Sequence, residues 1–198
     1  MPSSRLEPLA PEQWDDRTRR ILGGTVRPVA QLEGGQAAGS SRPLNILMTL
    51  AHHPSLLEPF LGFAATLAAR GVLPRRESEL LALRTAWNCR SEFEWGHHVI
   101  YARASGLDEE EIRRVTIGPG APAWSESDRA LLVAADELHE CQDVSDATWA
   151  RLRSSWNEAQ LVEIPFVVGN YTMLSMVARA TGVPLEPGLP AWPTKAQA

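Results

Sequence analysis

The chain has 198 residues, of which 44% are hydrophobic, and its 24 acidic and 19 basic side chains give a formal charge of −5 at pH 7. This length and composition suffice for one buried core and exclude a disordered chain, while basic residues that cluster only in pairs argue against a nucleic-acid partner. The N-terminus lacks an apolar signal segment and no stretch approaches roughly 18 consecutive apolar residues, so we expect a cytoplasmic protein without a membrane partner, folded as one domain over residues 1–198.

Helical periodicity recurs along the sequence, whereas β-branched residues alternating with polar ones are almost absent, which predicts an all-α fold. The first helix is predicted over residues 11–21 and stops at the Gly23-Gly24 pair. Residues 26–43 are rich in glycine and serine and are predicted to form a loop, without the spacing of a phosphate-binding loop. The core of the domain is expected over residues 44–181.

Three helices are predicted in the next part of the chain. Residues 44–52 form a short apolar helix that ends at Pro54, and residues 55–70 form a longer one that Gly71 stops. A third helix is predicted over residues 74–88. It begins with a proline, which the first turn of a helix tolerates.

The later helices begin at capping residues such as Ser91, Asp108 and Ser125. Their predicted ranges are 91–105, a helix from 108, 125–141, 145–154, and a final apolar helix from 157 or 158 to 180. Pro165 is expected to kink the final helix. The tail over residues 184–198 is predicted to be irregular.

One group of residues on two of these helices has the character of a catalytic site. Ser91, Glu94 and His98 share a helix face, because separations of three, four and seven residues return to the same side. The short connection to the preceding helix favours an antiparallel pair, which brings Glu79 close to them. A carboxylate beside an imidazole is a proton-transfer unit, and it tends to raise the imidazole pKa. His98 could equally be a core histidine satisfied by Glu94.

A structural interpretation is open for the other two residues as well. Ser91 and Glu94 have the spacing of a capping box, in which each side chain accepts a hydrogen bond from the backbone N–H of the other. Glu79 could pair with Arg75 or Arg76, one turn earlier on its helix.

The segment from Glu79 to Gly106 resembles the signature of the carboxymuconolactone decarboxylase and alkylhydroperoxidase D-like (AhpD-like) family. In that family a glutamate precedes a Cys-x-x-Cys-x-x-x-His run. The glutamate position holds Glu79 and the histidine position holds His98, while Ser91 and Glu94 stand at the two cysteine positions. The resemblance covers roughly residues 44–107, and its wording is similar to the decarboxylase-type branch. It implies an AhpD-like helical fold and a homo-oligomer, either a trimer or a hexamer.

The two replaced cysteines remove from this motif the family's peroxidase chemistry, which needs one thiol to attack peroxide and a second to resolve the sulfenate. The resemblance instead implies decarboxylation or a related lyase reaction on a small carboxylated or lactone-like metabolite. No cofactor is expected, since a conjugated lactone accepts the electrons released with carbon dioxide as a dienolate. We expect His98 with Glu79 or Glu94 to relay protons, and Arg84 or Arg103 to bind the substrate anion.

Further candidates give alternatives to this reaction. Tyr171 and Ser91 are additional substrate-binding candidates, the tyrosine because a buried hydroxyl on an apolar helix needs a partner. Cys89 lies two positions before the first motif cysteine, which leaves open a peroxidase-like oxidoreductase that uses this thiol. A disulfide between Cys89 and Cys141 is not expected in a chain without an export signal. A non-catalytic oligomeric binding protein with the same fold is the other alternative.

Metal binding is the weaker interpretation of the histidines. His97 and His98 are adjacent, and adjacent side chains on a helix point about 100° apart, so the two cannot easily share one ion. We therefore expect a small-molecule substrate and no metal.

Overall fold

The computed structural model describes residues 4–23 and 42–193. Over these residues the chain forms α-helices, one short 3-10 helix (Pro11–Gln13) and no β-strand, which confirms the all-α prediction. The α-helices are α1 (Asp16–Gly23), α2 (Asn45–Leu50), α3 (Pro54–Arg70), α4 (Arg75–Asn88), α5 (Glu92–Ala104), α6 (Glu109–Ile117), α7 (Glu126–Cys141), α8 (Asp146–Ser155) and α9 (Glu158–Thr181). Most of the predicted loop over residues 26–43, and the last residues of the predicted tail, lie outside the described residues.

Local chemistry explains where two predicted boundaries differ from the structure. The first helix is predicted from residue 11, but α1 begins only at Asp16, because the Asp15 carboxylate accepts a hydrogen bond from the Thr18 N–H at 2.7 Å and caps a new helix there. Gly23, expected as a stop, is the last residue of α1. Pro54, expected to end a helix, is the first residue of α3, where the missing N–H of proline costs no hydrogen bond.

Backbone contacts divide the chain into two compact units, and the prediction of one domain stays a prediction. The first unit comprises residues 1–70 with 177–189, and the second comprises 71–176 with 190–198. In the first unit, α1, α2 and α3 supply a small core of Leu22, Ala51 and Leu57. Because α2 has no side-chain cap of its own, Glu186 completes its first turn by accepting a hydrogen bond from the Asn45 N–H at 2.7 Å.

Helix α4 is central to the second unit and contacts α5, α6 and α7. All residues from 78 to 86 of α4 are buried, as are all residues from 93 to 99 of α5. A helix buried on every side is normally apolar throughout. The polar side chains on these two buried helices must therefore find partners inside the protein, and those partners form the candidate site.

Helix α9 is, among the described helices, the one that is long and apolar enough to cross a membrane by length and composition alone. Core helices of globular proteins meet the same criterion. Its Glu163 is buried and accepts hydrogen bonds from the N–H groups of Val72, at 2.5 Å, and Leu73, at 3.3 Å. A buried carboxylate that binds backbone just before α4 is what a core helix provides.

Candidate active site

The connection between α4 and α5 sets the position of the site. Arg90 adopts a positive φ of 52°, and the Ser91 N–H donates to the Ala86 carbonyl at 2.9 Å, so the chain reverses within a few residues. Ser91 is the N-cap of α5, and its hydroxyl accepts a hydrogen bond from the Glu94 N–H at 3.4 Å. The Ser91 N–H is thus already bound to backbone, and Glu94 is not needed to complete a capping box.

The Glu94 carboxylate turns instead toward His98, one turn later. Glu94 Oε2 lies 3.6 Å from His98 Nε2, an ion-pair distance longer than a hydrogen bond. Glu94 Oε1 is buried and has no hydrogen-bond partner among the described residues. Of the two interpretations of Glu94, the structure supports the one that places it in the site.

Glu79 and His98 form the shortest polar contact between α4 and α5. The His98 Nδ1–H donates to Glu79 Oε2 at 2.6 Å, and the two residues are 5% and 0% exposed. The Arg75 guanidinium lies 2.5 Å from Glu79 Oε1 in an ion pair, so one arginine holds the second carboxylate oxygen. Arg75, Glu79, His98 and Glu94 therefore follow one another with alternating charge when the imidazole is protonated.

This arrangement keeps His98 charged at neutral pH. Burial opposes the charged imidazolium, but the charge and hydrogen bond of Glu79, and after them Glu94, outweigh it and raise the pKa of His98 to about 9. Its Nδ1–H is committed to Glu79. The proton on Nε2 is the one that can be transferred.

Tyr171 completes the site from α9. Its ring packs edge to face against the His98 imidazole, with centroids 4.3 Å apart and an angle of 73° between the rings. Burial, and then the negative charge of Glu79, raise the pKa of the Tyr171 phenol above its usual value. The hydroxyl therefore keeps its proton, and no described residue forms a hydrogen bond with it, so it can donate one to a bound molecule.

The two arginines predicted to bind an anion lie in other ion pairs. Arg84 donates to both oxygens of Asp136, at 2.6 and 2.8 Å, and to the Val115 carbonyl at 2.8 Å. Arg103 donates to both oxygens of Glu109, at 2.6 and 3.0 Å. The structure brings Arg75 to the site instead, and the only sequence signal for it is its position one turn before Glu79.

Cys89 lies in a second polar cluster that the sequence does not reveal. Its sulfur is 3.8 Å from His139 Nδ1 and 3.9 Å from Thr172 Oγ1. Neither Cys89, which is half-buried, nor the exposed Cys141 is in a disulfide. Among the described residues, no group of three or more His, Cys, Asp or Glu side chains is arranged to hold a metal ion.

Comparison with known proteins identifies the family of this site. Residues 54–137, which include Glu79, Glu94 and His98, match the sequence model of the carboxymuconolactone decarboxylase family. The chain belongs to the carboxymuconolactone decarboxylase family. The predicted family is thus confirmed, and no protein with a curated description matches the sequence.

Solved structures agree with this decarboxylase-family assignment at the level of fold. The chain is similar to an alkylhydroperoxidase AhpD core protein from Ralstonia eutropha JMP134, with 19% identity, 94% of both chains covered and a TM-score of 0.75. It is similar to the debrominase Bmp8 in complex with 2,3,4-tribromopyrrole, with 15% identity, 94% of both chains covered and a TM-score of 0.72. It is also similar to a protein of unknown function from Agrobacterium tumefaciens, with 21% identity, 69% of this chain and 94% of that chain covered, and a TM-score of 0.65. The predicted AhpD-like fold is confirmed.

Proposed function

We propose that the protein is a cofactor-free acid–base enzyme, a decarboxylase or related lyase that acts on a small carboxylated or lactone-like metabolite. One observation carries this proposal: a buried, protonated His98 is held between two carboxylates, with Glu79 fixing Nδ1 and Nε2 left to transfer its proton. Raising the pKa of a catalytic acid toward or above neutrality is how acid catalysis operates at physiological pH.

Each step of the reaction has a residue that fits it. The bond between the substrate and its carboxylate breaks, carbon dioxide leaves, and the electron pair moves through the conjugated system to the carbonyl oxygen. The Tyr171 hydroxyl donates a hydrogen bond to that developing oxyanion. His98 Nε2 then gives its proton to carbon and regains one from water, while Glu79 and Arg75 keep the ring in place.

Two groups bear on substrate selection. Glu94 Oε1 is a buried acceptor without a donor, so a substrate hydroxyl or a bound water would satisfy it. Arg75 supplies the positive charge nearest to Glu79 and His98, whereas Arg84 and Arg103 are neutralised by their own acidic partners. We therefore assign attraction of the substrate carboxylate to Arg75. The debrominase complex with a tribromopyrrole supports a small organic molecule as the ligand of such a fold.

The test is carbon dioxide release from a panel of carboxylated unsaturated lactones, beginning with carboxymuconolactone. We expect turnover by the wild-type protein and a loss of about 100-fold in kcat for His98→Gln, the usual contribution of a general acid. His53→Gln, at an exposed histidine, is the matched control and should retain full activity. No release from any lactone, or equal turnover by His98→Gln, would refute the proposal.

We also propose that the protein acts in the cytoplasm as a homo-oligomer. The support is a row of exposed apolar side chains along one face of α9: Val162, Phe166, Met173 and Met176. Their spacing of four, seven and three residues keeps them on the same side of the helix. Because no charged side chain interrupts this face, a second copy of the chain is the partner that fits it.

A further inference from the structure

Cys89 belongs to a group of three side chains that the acid–base site does not use. Cys89 follows the last turn of α4, His139 lies in the last turn of α7, and Thr172 lies on α9. The sulfur is within 3.9 Å of both partners, close to the imidazole nitrogen and the hydroxyl oxygen. All three residues are half-buried and belong to the second unit.

This geometry pairs a nucleophile with a base. The thiolate is the reactive form of cysteine, and an imidazole within contact distance accepts the thiol proton. The end of a helix carries partial negative charge, so the position of His139 in the last turn of α7 favours the imidazolium that forms.

A second observation shows that this region of α4 is not fully satisfied by protein contacts. The Thr85 hydroxyl is completely buried and lies one turn before Cys89 on the same face of α4. It has no hydrogen-bond partner among the described residues. A buried hydroxyl without a partner normally binds a water or a ligand.

We propose that Cys89, His139 and Thr172 form a second site that reduces small hydroperoxides, independent of the reaction at His98. A half-buried thiol between three helices admits only a small electrophile. A peroxide suits the surrounding groups because its leaving oxygen needs a proton, which His139 holds, and a hydrogen-bond donor, which Thr172 supplies.

The step balances with one hydroperoxide per thiol. The Cys89 thiolate attacks the terminal peroxide oxygen, the O–O bond breaks, and the leaving alkoxide takes the proton that His139 received from the thiol. The products are the Cys89 sulfenic acid and an alcohol, with sulfur oxidised by two electrons and the peroxide reduced by two. A low-molecular-weight thiol then reduces the sulfenic acid through a mixed disulfide, releasing water.

Two single-cysteine proteins test the proposal without any change to His139. Cys141→Ser leaves only Cys89, and Cys89→Ser leaves only the exposed Cys141. Each is treated with cumene hydroperoxide, and sulfenic acid is trapped with dimedone and located by peptide mass spectrometry. We expect Cys89 to form sulfenic acid at least about tenfold faster than Cys141, although it is the less exposed thiol.

His139→Gln and Thr172→Val in the Cys141→Ser protein then assign the roles. Loss of the base should slow oxidation of Cys89 by about 100-fold, and loss of the hydroxyl should slow it less. With glutathione added, the Cys141→Ser protein should consume hydroperoxide catalytically. Equal rates for the two single-cysteine proteins, an unchanged rate in folded His139→Gln, or no turnover with glutathione would each overturn the proposal.

Discussion

Among single residues, Glu79 controls the charge of the site. It raises the pKa of His98 from 6.5 to about 9, so the folded protein holds a proton that the unfolded chain releases near pH 6.5. The resulting stability is fully present below about pH 6.5 and is lost as the pH rises through about 9, with a magnitude of about 3 kcal/mol.

Glu79→Gln should remove most of this dependence, because a neutral amide no longer stabilises the imidazolium. The measurement is the free energy of urea unfolding at several pH values between about 6 and 10. Glu77→Gln on the same helix, whose side chain pairs with Arg76 rather than His98, is the control and should keep the wild-type pH profile. A Glu79→Gln protein that loses as much stability as wild type across this range would contradict the coupling.

The same residue scale shows what the sequence can and cannot predict about a site. Helical spacing places Glu94 and His98 together, and a short connection places Glu79 opposite them, because both are local properties of the chain. The partner of Arg84 lies 52 residues later, at Asp136, and that of Cys89 lies 50 residues later, at His139. Such pairs depend on how α7 packs against α4, which no spacing in the sequence encodes.

At the scale of elements, the start of α5 holds the site together. Ser91 is completely buried and caps the Glu94 N–H, so it fixes the turn of helix from which Glu94 and, one turn later, His98 project. Ser91→Ala should lower the free energy of unfolding by about 1 kcal/mol, the usual cost of losing an N-cap. Ser155→Ala, at an exposed serine that ends α8, should change it by less than about 0.5 kcal/mol. Equal unfolding free energies for Ser91→Ala and wild type would show that the cap is not what positions α5.

Most helix positions were predictable at this scale because capping residues, prolines and apolar periodicity are local signals. The errors, at α1 and at Pro54, arise where two such signals compete. Asp15 begins a new helix inside a periodic segment, and Pro54 is compatible with either the end of one helix or the start of the next. The structure resolves both cases in favour of a new helix start.

For the whole molecule, the exposed face of α9 is the feature that composition alone did not reveal. Val162 and Met176, which are 60% and 65% exposed, lie at its two ends, separated by four helical turns at 3.6 residues per turn. In water this face costs free energy until another apolar surface covers it. We therefore expect the wild-type protein in solution to have a mass that is a multiple of 21.7 kDa.

A charge at each end of this face should disrupt the assembly, because burying an unpaired carboxylate in an apolar interface is costly. Light scattering coupled to size-exclusion chromatography should give a lower mass for Val162→Glu with Met176→Glu than for wild type. Ser154→Glu on α8 adds the same kind of charge at an exposed position and should leave the mass unchanged. A wild-type mass of 21.7 kDa would exclude a second copy as the partner of this face, and an unchanged assembly in the double variant would place the contact elsewhere.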